Sequence, residues 1–258
     1  MVVELFLDLL SQPCRALFIF AKKNNIPFEF KHVELIKGQH LSEEFGKVNV
    51  LKKVPALKDG TFTLAESIAI LLYLRRKFNT PDHWYPSDLR KRARVDEYLS
   101  WQHTAIREKG CRIFFTKVLM PLAVGQPFSP DKLEEAVKEM NFTLVQFEEK
   151  FLQDKPFIVG SEISLADLVA IVELMQVSVG ATGSSQTSDR GYICQCGFCF
   201  CLGFADRPKL AAWRSRGEEA VGKELFQEAH KQVLNAKSLG SMQLSSELKE
   251  HLKQILKP

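Results

Sequence analysis

Ser11-Gln12-Pro13-Cys14-Arg15 is the segment whose residue types could do chemistry. An apolar, β-prone run at 2–7 precedes it, and an apolar-periodic stretch follows it to Asn24-Asn25. Proline just inside a helix start is favoured, because its missing N–H costs nothing there. A strand therefore hands over to a helix at Ser11. A hydroxyl and unpaired backbone N–H groups then sit at the positive end of the helix dipole. Such an end suits a thiolate or another anion, and the same serine would also serve as an ordinary helix cap. Cys14 lies one turn inside. In a Cys-x-x-Cys pair it would be the resolving cysteine, but Ser11 occupies the attacking position. Dithiol exchange is thereby lost, and core packing remains for Cys14. A second cluster, Cys194, Cys196, Cys199 and Cys201, packs four thiols into eight residues. Thiolates can take a soft metal, but structural zinc usually draws on two well-separated ligand pairs, so the expectation is no metal.

The elements that must position Ser11 follow from periodicity. Residues 28–33 alternate in polarity, which suits a second strand parallel to the first across the helix. Residues 54–57 and 62–64 flank Lys58-Asp59-Gly60, a hairpin signal. Residues 66–78 then read as a helix carrying Ile68, Ile70, Leu71, Leu72 and Leu74. The order is β-α-β, loop, β-β-α. After a linker at 80–88 holding Pro81 and Pro86, the pattern turns to helices alone: 89–109, with Gly110 as a break before 113–119, then 130–151, a helix opening at Ser164, 209–220, 225–236 and 245–256. The fold class is thus α/β followed by all-α. Ser164-Leu165-Ala166-Asp167 reads as a capping box, which makes Asp167 a folding residue.

Bulk properties exclude several classes. The chain has 258 residues, 45% hydrophobic and 26% charged, with a net charge of +4, as expected of a globular protein of one or two domains. Its basic residues are scattered. The densest run, Leu89-Arg90-Lys91-Arg92-Ala93-Arg94, reads as a solvated helix start, so nucleic acid is not an expected partner. No apolar run approaches the roughly 20 residues of a membrane span. Glu4 and Asp8 break a secretory signal, and a cytoplasmic location is expected. His32, His83, His103, His230 and His251 lack chemical context and read as structural or exposed.

Further motifs narrow the anion. Lys52-Lys53-Val54-Pro55-Ala56-Leu57 and Leu64-Ala65-Glu66-Ser67-Ile68-Ala69-Ile70 have the order and spacing of the glutathione transferase N-terminal domain. Asp8-Leu9-Leu10-Ser11-Gln12-Pro13-Cys14-Arg15 and Lys37-Gly38-Gln39-His40 resemble the theta class of that family, and the likeness runs over 1–176. It implies a thioredoxin-like glutathione-binding domain at 1–79 and a helical domain at 89–258. It also implies a homodimer that joins glutathione, as co-substrate and with no further cofactor, to small hydrophobic electrophiles, and that reduces organic hydroperoxides. In this reading Ser11 donates its hydroxyl hydrogen bond to the glutathione sulfur, and Gln12 belongs to the glutathione-binding set. Val54-Pro55 forms a cis turn pairing with the cysteinyl amide, and Glu66 and Ser67 take the γ-glutamyl end. His40 and Lys53 hold the glycyl carboxylate. An ordinary thiol has a pKa of about 8.5, and lowering it by about two units needs roughly 2.7 kcal/mol. One neutral hydrogen bond supplies only about 0.5–1.5 kcal/mol. The helix N-terminus and a cation must add the rest, and Arg107 is the candidate, with a solvent-facing helix charge as its alternative role.

The likeness stops after Gln176 and resumes at Arg207-Pro208-Lys209-Leu210-Ala211-Ala212-Trp213. The intervening 177–206 is an atypical Cys-rich insertion. Residues 241–258 resemble the family's last helix loosely. An intact fold with a damaged pocket would give a non-catalytic glutathione- or ligand-binding protein, or a protein-interaction member of the fold.

Overall fold

A computed structural model describes residues 2–125, 130–179, 204, 206–235 and 243–255. Four strands, β1 (Val3–Leu7), β2 (Phe28–His32), β3 (Ala56–Asp59) and β4 (Phe62–Ala65), form one mixed sheet in the order β2-β1-β3-β4. Val3, Leu5 and Leu7 alternate into the core with no exposure, the period of two that a half-buried strand requires. β1 runs parallel to β2 across helix α1 (Gln12–Lys23) and antiparallel to β3, with Phe6 opposite Ala56. Ala56 in turn faces Ala65 of β4. This register fixes the site. The C-terminal end of β1, the residues entering β3 and the residues leaving β4 all lie at one end of the sheet.

Two elements depart from the sequence reading here. The stretch read as a loop before β3 contains a short helix, α2 (Glu43–Val48), whose start is capped by Ser42 Oγ accepting from Phe45 N at 3.1 Å. β3 begins two residues later than expected, because Pro55 has no N–H to give a ladder. Helix α3 (Ser67–Lys77) follows β4.

The stretch expected to link the halves is packed rather than free. Trp84 and Tyr85 are buried, Trp84 meets Phe20 edge-on at 5.4 Å, and His83 Nδ1 lies 2.6 Å from the Ile163 carbonyl. Beyond it the described chain is helical. α4 (Leu89–Trp101), α5 (Glu108–Phe114) and α6 (Met120–Val124) continue one another through π-helical turns at His103–Arg107 and Phe115–Leu119. Gly110 is not a break: it lies buried inside α5. Next come α7 (Pro130–Gln146), α8 (Leu165–Val179), α9 (Pro208–Val221), α10 (Lys223–Leu234) and α11 (Ser246–Ile255). Helix α8 packs on α1 and α4 at the centre. No helix among the described residues is long and apolar enough to cross a membrane.

His230 of α10 is fully buried, stacks on Phe226 at 4.3 Å and donates from Nδ1 to the Phe226 carbonyl at 2.7 Å. Burial, with the Arg15 charge nearby, pushes its pKa down from 6.5 to about 3. A depressed histidine pKa means that the unfolded chain takes up the proton first. Stability is therefore lost as pH falls from 6.5 toward 3. Urea unfolding should show about 2 kcal/mol less stability at pH 5 than at pH 7 from this group. His230→Gln should remove that difference, and an unchanged slope would exclude the histidine as its source.

Candidate functional site

The Ser11 turn sits where β1 leaves the sheet. Ser11 has extended backbone (φ −84°, ψ 126°) at the N-terminus of α1, and its side chain makes no capping bond. The capping role is therefore not taken. The hydroxyl lies against the Cys14 sulfur, whose thiol burial pushes up to about 12. Cys14 is fully buried in the core, consistent with packing and not with redox chemistry.

Two buried charges hold this turn, and sequence reasoning gave neither a role. Asp8 accepts from Leu10 N and from Leu35 N, both at 2.9 Å. It thus ties the Ser11 turn to the segment that carries His40. Arg15 donates to the Leu9 and Leu10 carbonyls at 2.8 and 3.1 Å. Their partners are mostly backbone atoms, which carry no sequence signal.

The other candidates arrive by register. Val54-Pro55, cis as expected, enters β3, and Glu66-Ser67 leaves β4 into α3. Glu66 is an exposed non-glycine residue with φ +67° and ψ 111°. A left-handed backbone of this kind costs about 1–3 kcal/mol and is concentrated at functional sites. Lys53 is exposed, and its carbonyl accepts from Asn49 Nδ2 at 2.7 Å. His40 is half-buried, with Nδ1 lacking a hydrogen-bond partner. Burial, then the His251 charge, lowers its pKa below 6.5. Near pH 7 it therefore offers a hydrogen bond more than the charge expected of it.

Beside Ser11 lies an apolar cavity of about 320 Å³. Ser11, Gln12, His40 and Cys111 line its polar side, while Phe114, Phe115 and Leu119 form a wall. Gln12 is buried and donates from Nε2 toward the Cys111 sulfur at 3.7 Å. The last helix closes the cavity through Leu248 and Leu252, with Leu244 just before it. Its start is tied down by Ser245 N donating to Ile36 O at 3.1 Å. A wider, open depression among Glu148, Asp154 and Lys209 is charged surface, where Lys209 pairs with Asp154 at 3.0 Å. No reactive groups converge there.

Arg107 is engaged by a buried carboxylate. It sits in a π-helical turn, about one-third exposed, with Nη1 2.7 Å from Oε1 of Glu173, a fully buried residue on α8. It is not among the residues lining the cavity. Burial raises the Glu173 pKa and the Arg107 guanidinium opposes this. Nothing in the sequence pairs residues 66 positions apart, so Glu173 was missed. Asp167 acts in folding and reaches back as a capping box requires: its carboxylate accepts from the Ser164 backbone N–H at 3.0 Å and also from the Ser164 hydroxyl at 2.8 Å. Cys194, Cys196, Cys199 and Cys201, with the rest of 180–203, lie outside the described residues.

Comparison with known proteins follows the same division. Residues 5–76 match the family model for the glutathione S-transferase N-terminal domain, and 112–219 that for the C-terminal domain. The chain is 55% identical to glutathione S-transferase theta-1 of Gallus gallus, with 99% of this chain and 98% of that protein covered. It is 57% identical to theta-1 of Homo sapiens, over 92% of this chain and 91% of the other. Human glutathione S-transferase T1-1 in its apo form superposes with a TM-score of 0.86 at 52% identity, covering 98% of both chains. Human theta-2 in complex with glutathione gives 0.85 at 45% identity, over 98% of this chain and 97% of that one.

Proposed function

The chain belongs to the glutathione S-transferase family, within its theta class, and from that premise we propose that it activates glutathione at Ser11 and joins it to small, uncharged electrophiles held in the adjoining cavity. One observation carries the reading: the sheet register brings the segments of Ser11, Val54-Pro55 and Glu66-Ser67 to one end of the sheet, where Ser11 borders an apolar cavity of about 320 Å³.

In this reading glutathione lies across that end of the sheet. The Val54 backbone pairs with the cysteinyl amide. The Glu66 carboxylate receives the ammonium of the γ-glutamyl end, and Ser67 with the first N–H groups of α3 receives its carboxylate. His40 and Lys53 meet the glycyl carboxylate, and Gln12 borders the sulfur. The thiol releases its proton to solvent, and the Ser11 hydroxyl donates to the resulting thiolate. The sulfur lone pair then forms the new S–C bond while the electrophile's leaving group departs with its bonding electrons. Rate comes from thiolate supply and from holding both reactants together. Reduction of organic hydroperoxides by the same thiolate belongs to the proposal. So does a cytoplasmic homodimer, for which exposed Phe62 and Leu89 supply apolar surface and the free thiols of Cys14 and Cys111 suit a reducing compartment.

Calorimetric titration with reduced glutathione tests the reading. Wild type should bind and turn over an uncharged alkyl or aryl halide. Glu66→Gln should raise the glutathione Kd about tenfold by removing a charge-assisted bond. Binding with no turnover of any halide or hydroperoxide would leave a ligand-binding protein instead.

A further inference from the structure

Arg15 is fully buried, and its guanidinium divides its donors between two parts of the molecule. Nη1 donates to the carbonyls of Leu9 and Leu10, at 2.8 and 3.1 Å. Nη2 donates to the Val172 carbonyl at 3.1 Å and to Oε1 of Gln176 at 2.7 Å. The first pair belongs to the turn that presents Ser11, and the second to α8. All four acceptors are neutral, and among the described residues no carboxylate comes within ion-pair distance of Arg15. Burial lowers its pKa to about 10 while Glu173 and Asp8 oppose the shift, so the group stays charged at neutral pH. His230 on α10 feels that charge.

Burying a cation without a counter-ion costs several kcal/mol, and Arg15 Nε, buried with no hydrogen-bond partner among the described residues, adds to that cost. A buried apolar residue would staple α1 to α8 at less cost. What an apolar residue cannot do is hold two successive carbonyls with one nitrogen while a second, fixed in the same plane, holds α8, which takes the fork of a guanidinium. Those carbonyls precede Ser11, and Asp8 holds the same turn from the opposite side through Leu10 N.

We propose that Arg15 is the positioning residue for Ser11, locking the Leu9-Leu10 carbonyls to α8 so that the hydroxyl meets the glutathione sulfur in one fixed geometry. The proposal rests on Ser11 being the thiolate donor. Arg15 does not touch substrate; it acts through the turn. Its positive charge also adds to the field that favours the thiolate.

The test is ultraviolet titration of the thiolate of bound glutathione, run beside steady-state kinetics. Arg15→Lys keeps the charge but replaces the planar fork with a compact ammonium. It should raise the thiol pKa by about one unit and lower kcat about tenfold, with the glutathione Kd within about twofold of wild type. Leu17→Ala, also buried on α1, should lower the melting temperature while the thiol pKa stays at the wild-type value. A wild-type thiol pKa in Arg15→Lys overturns the proposal. So does an equal shift in Leu17→Ala, which would make the effect one of general loosening. Should Arg15→Lys not fold, Gln176→Leu decides: the thiol pKa of its glutathione complex should rise by about half a unit, and no rise overturns the proposal. Wild type that binds glutathione without forming thiolate sinks the Ser11 reading itself, a distinguishable failure.

Discussion

Ser11→Ala should lower kcat for conjugation about 10–100-fold and leave the glutathione Kd within about threefold of wild type. The reasoning starts from what the hydroxyl can lose. A hydrogen bond to a charged partner contributes about 1.5–3 kcal/mol, and each 1.4 kcal/mol is about tenfold in rate. The other contacts proposed for glutathione lie on Val54, Glu66, Ser67, His40 and Lys53, so binding should survive where activation does not. The same loss should raise the thiol pKa of bound glutathione by about one to two units, read as thiolate absorbance against pH. Activity should then recover in part at alkaline pH, where solvent removes the proton unaided. The substitution is local: Ser11 makes no side-chain cap on α1, so little stability should go with it. A kcat within threefold of wild type would move the whole of activation onto the helix N-terminus and the buried Arg15.

Residues differed in how far their sequence disclosed them, and for physical reasons. Ser11 follows from a local rule, a strand giving way to Pro at a helix start, whereas Val54-Pro55 and Glu66-Ser67 were legible through their resemblance to the glutathione transferase N-terminal domain. Their convergence rests on two registers: that of β3 with β4, a short-range consequence of the hairpin at Gly60, and that of β1 with β3, which joins residues far apart in sequence. Helix α2 was missed because 43–48 buries only Phe45 and contains Gly46, leaving no apolar stripe. Gly110 was read as a break because glycine propensity is a weak prior that packing overrides; buried in α5, it sits where that helix packs on α7 and α8. Arg107 was legible as a cation but not as half of an ion pair, since Glu173 arrives through tertiary packing. Asp8 and Arg15 were least legible. Their hydrogen bonds go chiefly to backbone groups, which every residue possesses.

Asp167→Ala should cost about 3–5 kcal/mol of folding stability, as expected for breaking a buried hydrogen-bond network and leaving several buried donors unsatisfied. Asp167 is fully buried, and its two oxygens accept four bonds. Oδ1 takes Ile158 N at 2.8 Å and Trp213 Nε1 at 2.9 Å, while Oδ2 takes the Ser164 hydroxyl and backbone. One carboxylate thus joins the segment before α8, the first turn of α8 and helix α9. Close packing reinforces the last of these, since a Cβ on Gly217 of α9 would come within 2.2 Å of Ile171 on α8. Burial raises the Asp167 pKa above 3.8, so by linkage its contribution is greatest below the unfolded pKa and falls as pH rises through the folded one. Acid lability should therefore trace to His230 and not to Asp167. Urea unfolding of Asp167→Ala and Asp167→Asn measures the effect, the amide retaining one acceptor and losing less. Helix α8 also carries the groups that meet Arg15 and Arg107, Val172, Gln176 and Glu173. At a temperature where Asp167→Asn is still folded, its glutathione Kd should equal that of wild type. A large rise in Kd in that folded sample would instead place Asp167 in contact with the ligand.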